Sequence, residues 1–142
     1  MTEPVWLDRL IVEAIHFDQI RLHGGLPGIR DENSLESALA RPRNRSVYQA
    51  DTDLIDLAAA YGYALTSSHP FNDGNKRIGF LAMYVFLGLN GRELVAEETE
   101  VVELMIAIAA GERSEAEVAS WLQDHVELCE LMTKVPGVPG PF

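Results

Sequence analysis

The sequence predicts an all-α domain, a helical bundle built around one central buried helix. Three observations carry that prediction. Apolar residues recur at intervals of three and four along successive stretches, and each stretch is bounded by a capping residue, a glycine or a proline. Residues 75–89 are apolar almost all round, as only an enclosed helix can be. No run alternates apolar and polar residues as a half-buried strand would.

The elements follow in order. Val5-Trp6-Leu7 reads as an extended lead-in, and Asp8 caps a first helix with an apolar face of Leu10, Ile11, Ala14, Ile15, Phe17 and Ile20. Gly24-Gly25 stops it. Gly28–Asp31 is a loop, after which Asp31 or Asn33 caps a second helix carrying Leu35, Ala38 and Leu39; Pro42 is expected to end it. Residues 44–52 are polar and read as loop. Asp53 caps an Ala-rich third helix through Leu57, Ala60, Tyr61, Ala64 and Leu65, which closes before Pro70. The fourth, central helix runs from about Asn75 to Leu89 and ends at Asn90-Gly91. A fifth occupies roughly Glu98–Ala110. Ser114-Glu-Ala-Glu117 is a capping box opening a sixth, with Val118, Trp121, Leu122 and Val126 on its apolar side. A single domain over residues 1–130 is expected, followed by a flexible Pro/Gly-rich tail over 131–142.

Composition narrows the function. Of 142 residues, 47% are hydrophobic and 23% charged, the mixture of a globular domain rather than a disordered chain. The longest apolar runs, such as Leu104–Ala110, are too short to span a bilayer, and no secretory signal opens the chain. The lone Cys129 cannot form an internal disulfide and reads as a partly buried residue on a late helix, which fits a reducing cytoplasm. Net charge is −11, so a general affinity for nucleic acid is excluded by repulsion from phosphate backbones. The few bases are clustered, with Arg41, Arg43 and Arg45 in one stretch and Lys76-Arg77 in another. Such clusters leave room for one anion at a focused site.

The chemistry concentrates in His69-Pro-Phe-Asn-Asp-Gly-Asn-Lys-Arg77, between two buried helices. Enclosed polar groups are costly unless paired or used. Gly74 stands where the fourth helix begins, so its backbone and those of Asn75 and Lys76 can aim free N–H groups at an anion. Lys76 and Arg77 oppose the helix dipole unless a polyphosphate sits there. Asp73 could hold a Mg²⁺ bridging phosphate oxygens, and His69 could take a proton from an attacking hydroxyl. Phe71 is an apolar anchor. Taken singly, these residues have bland explanations: His69 capping the third helix, Asp73 capping the fourth, the two bases solvated. Six polar residues within nine positions would need a separate explanation each.

That stretch resembles the Fic/Doc family signature, H-P-F-x-[D/E]-G-N-[G/K]-R, and is nearest the death-on-curing (Doc) toxins of type II toxin–antitoxin systems. Upstream, Gly24-Gly-Leu-Pro-Gly-Ile-Arg-Asp31 and Leu35–Pro42 look like the early part of Doc-type chains. The resemblance implies a Fic/Doc-type bundle, with a small β-hairpin or loop acting as a flap at about Arg43–Thr52. It implies His69 as catalytic base and Asp73 as metal ligand. Gly74, Asn75, Lys76 and Arg77 would bind phosphate, with ATP and Mg²⁺ as cofactors. AMP-transferring members have a glycine at the position of Lys76 and an arginine at that of Phe80, whereas Asp73 keeps their metal-ligating acid. In Doc-like members the lysine goes with an inverted ATP and transfer of the γ-phosphate. The expected function is therefore phosphorylation of a Thr or Ser hydroxyl on a translation factor such as elongation factor Tu, arresting translation. A Phd-like antitoxin would neutralise it, since the inhibitory [S/T]-x-x-x-E-[G/N] helix is missing; Thr99–Leu104 comes close but ends in leucine. AMP transfer, or a catalytically idle module that binds nucleotide or antitoxin, are the alternatives.

Other signals are weaker. His16, His23 and His125 have no ligand partners at suitable spacing and read as satisfied or exposed histidines, and Trp6 and Trp121 read as packing residues. Gly74-Asn-Lys-Arg77 lacks the spacing and preceding strand of a P-loop. Two candidate ligands make a poor site for a metal-dependent hydrolase.

Overall fold

Four of the six helices in the computed structural model, which describes residues 3–129, start where a short polar side chain caps the backbone. Asp8 accepts from Ile11 N–H ahead of α1 (Arg9–His23), and Asp31 from Ser34 N–H ahead of α2 (Glu32–Tyr48). Asp53 opens α3 (Leu54–Ser67) and Ser114 opens α6 (Glu115–Gln123), each with a reciprocal bond from the third helical residue. Of the other two, α4 (Asn75–Leu89) has no side-chain cap among the described residues, and α5 (Glu98–Ala109) starts at Glu97, whose N–H donates to Glu100 at 3.2 Å. The all-α expectation holds, with two three-residue strands, β1 (Arg92–Leu94) and β2 (Val126–Leu128), paired antiparallel as Leu94 with Val126. This pair lies after α4 and after α6, not before α3, so it is not the predicted flap.

Pro42 does not end the second helix. α2 runs through it to Tyr48, so the predicted loop and flap shrink to about residues 49–53. A proline inside a helix costs a hydrogen bond and about 3 kcal/mol. Compensation comes from burial of Pro42 itself and from Arg41 and Arg45, which both bond the buried carboxylate of Glu115 on α6.

α4 is buried at the centre of the bundle, as expected, and α3 shares that place. α3 buries nine residues and α4 seven, while Tyr84 and Leu89 on α4 reach solvent. Small side chains explain the difference: Ala58, Ala59, Ala60, Gly62 and Ala64 let α3 be covered on several sides. At the crossing, a Cβ placed on Gly79 would lie 2.0 Å from Thr66 Oγ1, and one on Gly62 would lie 2.3 Å from Met83 Sδ. A larger residue at either position would have to push Thr66 or Met83 aside within the core, so the two glycines set the close approach of the helices. Arg9 ties α1 to α2 through Glu32 and Glu36 and also bonds Glu13 one turn along α1. At the C-terminal end of α4, Asn90 exchanges two bonds with the backbone of Val5, at 2.8 and 3.0 Å.

No helix among the described residues is long and apolar enough to cross a membrane. Cys129 is partly buried, as expected, but just beyond β2 rather than on a helix. The tail expectation concerns residues 131–142, outside those described.

Candidate active site

The segment joining α3 to α4 is held by backbone and side-chain bonds from three directions. From within, Asn75 accepts from Phe71 N–H and donates to Phe71 C=O, both at 3.0 Å. Its side chain is thus turned into the protein, and any contact with phosphate falls to its backbone N–H. Phe71 itself is buried, as an anchor should be. From the α1–α2 connection, Gly28 C=O accepts from Asn72 N–H, Pro27 C=O accepts from the Asn72 amide, and Pro70 C=O accepts from the N–H groups of Arg30 and Asp31. Ile29 and Phe71 form an isolated antiparallel bridge. From α1, the His16 ring stacks on Phe71 with centroids 3.8 Å apart, and its Nε2 lies 2.7 Å from the Asp73 carbonyl.

His69 is exposed and has φ +49°, a left-handed conformation that a side chain with a Cβ rarely adopts. Such strain persists only where the surroundings impose it, and it gathers at functional sites. Here the Arg30 guanidinium imposes it: Nε donates to His69 C=O at 2.6 Å and Nη2 to Ser68 C=O at 3.0 Å. His69 does not cap α3, whose C-cap is Ser68.

Asp73 does not cap α4 either. The N-cap is Gly74, at φ +79°, and no side chain among the described residues bonds the start of this helix. The first internal bond runs from Ile78 N–H to Gly74 C=O. The N–H groups of Gly74, Asn75, Lys76 and Arg77 therefore have no acceptor among the described residues. Lys76 and Arg77 are exposed at this positive end, with no acidic residue in the first turn and no carboxylate partner among the described residues. Three features that cost energy alone, namely orphan donors, dipole repulsion and unpaired cations, coincide where an anion would relieve all of them.

Asp73 is exposed, and its Oδ2 accepts from Leu26 N–H at 2.7 Å. Oδ1 has no hydrogen bond among the described residues. No group of three His, Cys, Asp or Glu side chains gathers to hold a metal among them. One free carboxylate oxygen suits Mg²⁺, which keeps several waters and takes its remaining ligands from substrate phosphates.

A hollow of about 370 Å³ opens between this helix start and α5. Its polar end is Gly74–Arg77, and its apolar end includes Phe80, Val101, Val102 and Ile106. A larger hollow of about 570 Å³, lined by Arg41, Arg45 and Tyr48 with Ser67 and Ser68, holds none of the predicted site residues. It ends just before His69.

The predicted residues thus fall in one continuous loop and first helical turn, with Phe71 and the Asn75 side chain inside it and the rest outside. Sequence reasoning passed over two further residues that shape the site. Arg30 belongs to a segment that reads as a loop with a family resemblance, and His16 reads as a satisfied or exposed histidine. His23 is exposed, and His125, just past α6, bonds Trp121 C=O and Glu100.

Similarity to known proteins identifies the family. A family model described as the Fic/DOC family matches residues 6–87. Protein kinase doc of Escherichia phage P1 is 36% identical over 110 residues, covering 78% of this chain and 86% of that protein. Toxin Doc of Mycolicibacterium smegmatis is 41% identical over 76 residues, covering 52% of this chain and 58% of that protein. A match through the whole signature and across more than half of the residues, together with a relative covered over most of its length, means that this chain belongs to the Fic/Doc family.

Proposed function

We propose that this protein is a Doc-type toxin kinase, moving the γ-phosphate of ATP to a Thr or Ser hydroxyl of a translation factor such as elongation factor Tu. The observation that carries the reading is the open start of α4, where four N–H groups and two cations have no partner among the described residues and follow an exposed, strained histidine. Lys76 supports phosphoryl rather than AMP transfer: its side chain fills space that a glycine leaves for close approach of backbone to phosphate. The name of the phage P1 relative, a protein kinase, supports the same choice.

In this reading His69 takes the proton from the target hydroxyl while its oxygen attacks the γ-phosphorus and the bond to ADP breaks. The N–H groups of residues 74–77, with Lys76 and Arg77, hold the phosphates and receive the charge that shifts onto them. Asp73 would hold Mg²⁺, which supplies further neutralisation of that charge. The hollow beside α5 suits a nucleotide, polar at one end and apolar at the other. An antitoxin would keep such an activity in check, consistent with the toxin named among the relatives.

The test is label transfer to elongation factor Tu from ATP labelled on the γ- or the α-phosphate, with His69→Ala as control. Label from the γ position that vanishes in His69→Ala is the expected result. Label from the α position would make the protein an AMP transferase, and none from either would leave a binding module.

A further inference from the structure

We infer that His16 is a positioning residue for phosphate binding, acting through the Asp73–Gly74 peptide. This rests on the reading that phosphate binds at the start of α4. The imidazole is buried, at 4% exposure, and it is the only side chain among the described residues bonded to that peptide's carbonyl. A carbonyl only accepts, so Nε2 carries the proton and donates across 2.7 Å. A trans peptide is planar, with its C=O and N–H pointing in opposite directions. By drawing the Asp73 carbonyl toward α1, His16 turns the Gly74 N–H away from α1, to the open side where it has no acceptor among the described residues.

The surroundings fix the imidazole, and the imidazole holds that peptide. Stacking on Phe71 at an interplanar angle of 14° fixes the plane of the imidazole, and Phe71 is itself clamped by Asn75. A Cβ on Gly74 would meet His16 Nε2 and Ile20 Cδ1, both at 3.5 Å, so α1 lies directly against the turn. Gly74 adopts the left-handed conformation that lets the chain turn from this peptide into the helix. A phenylalanine at position 16 would keep the stacking and the volume. What the imidazole adds is the donor, and without it the peptide is free to rotate and present its carbonyl to an approaching anion.

The experiment compares His16→Phe, which keeps the ring, with His16→Gln, which restores an N–H near the same place. Affinity for ATP with Mg²⁺ is measured by calorimetry on the full chain, beside far-UV circular dichroism and the thermal midpoint. Losing one oriented N–H to a charged phosphate weakens binding by about tenfold. His16→Phe should show that loss while remaining folded, and His16→Gln should recover to within about threefold of the original affinity. In turnover, the Phe variant should lose through KM more than through kcat. Equal binding by the original protein and His16→Phe would overturn the inference, as would equal losses in the Phe and Gln variants. Should His16→Phe not fold, His16→Met takes its place, and Gln binding no tighter than Met overturns the inference in the same way. If the original protein does not bind ATP with Mg²⁺ at all, the phosphate reading falls and this one with it. If it binds and only the histidine comparison fails, the phosphate reading stands.

Discussion

Replacing Asn75 by alanine should destabilise the protein by about 3 kcal/mol, because one side chain satisfies both polar groups of the Phe71 backbone. Phe71 is only 2% exposed, so neither its N–H nor its C=O can turn to bulk water once the amide is gone. Each group left unpaired costs about 1–3 kcal/mol, giving a range of about 2–6. Two effects pull the value toward the lower half. Asn75 is itself 9% exposed, so a water can enter part of the space vacated, and alanine is the better helix former by about 0.5 kcal/mol. Urea denaturation followed by circular dichroism measures the change directly, and the thermal midpoint should fall by roughly 10 °C. Asn75→Asp keeps the acceptor for Phe71 N–H and loses the donor, so it should land between the two. A loss below about 1 kcal/mol in Asn75→Ala, with unchanged unfolding cooperativity, would refute the idea that this amide staples the loop.

Other outcomes follow from the same geometry. Arg30→Ala should lower the rate of group transfer by about tenfold while leaving ATP affinity nearly intact, since it frees the left-handed turn at His69 without touching α4; an unchanged kcat would show that the turn holds itself. Glu115→Ala should cost about 2 kcal/mol in denaturant melts, because it leaves Arg41 and Arg45 without their shared carboxylate beside Pro42; Arg41 is half exposed, which keeps the loss below that of a fully buried pair. The bond to Trp121 C=O, and next the Glu100 carboxylate, raise the pKa of His125 above its ordinary value. Folding thus favours the charged ring, and this contribution is whole below about pH 6.5 and is lost as pH climbs through the raised value. In His125→Gln the decline in stability between about pH 6 and pH 8 should flatten, and an identical decline in both proteins would remove His125 from the explanation.

Much of the fold could be read from local signals because those signals are local in cause. Asp8, Asp31, Asp53 and Ser114 cap their helices through bonds to backbone three residues away, and sequence spacing shows such bonds directly. Pro42 misled for the opposite reason. Its local tendency is to stop a helix, and it is overruled by Glu115, more than seventy residues further on. The site divides along the same line. His69, Asp73 and Gly74–Arg77 are contiguous, so their chemistry was visible as a cluster. Arg30 and His16 act across 39 and 57 residues, on backbone carbonyls that carry no sequence identity of their own. No pattern of side-chain types reveals a bond whose acceptor is the main chain. Asn75 shows a subtler limit: its place in the motif was plain, but which way its amide faces was not.

The paired bonds between Asn90 and Val5 give the molecule two poles. α4 is a rod of 15 residues, about 22 Å long, with the His69–Gly74 loop at one tip and Val5 fastened to the other. A fluorophore or surface tether attached close to Val5 would sit at the far pole, leaving the mouth of the hollow open to solution and to any large protein that must reach it.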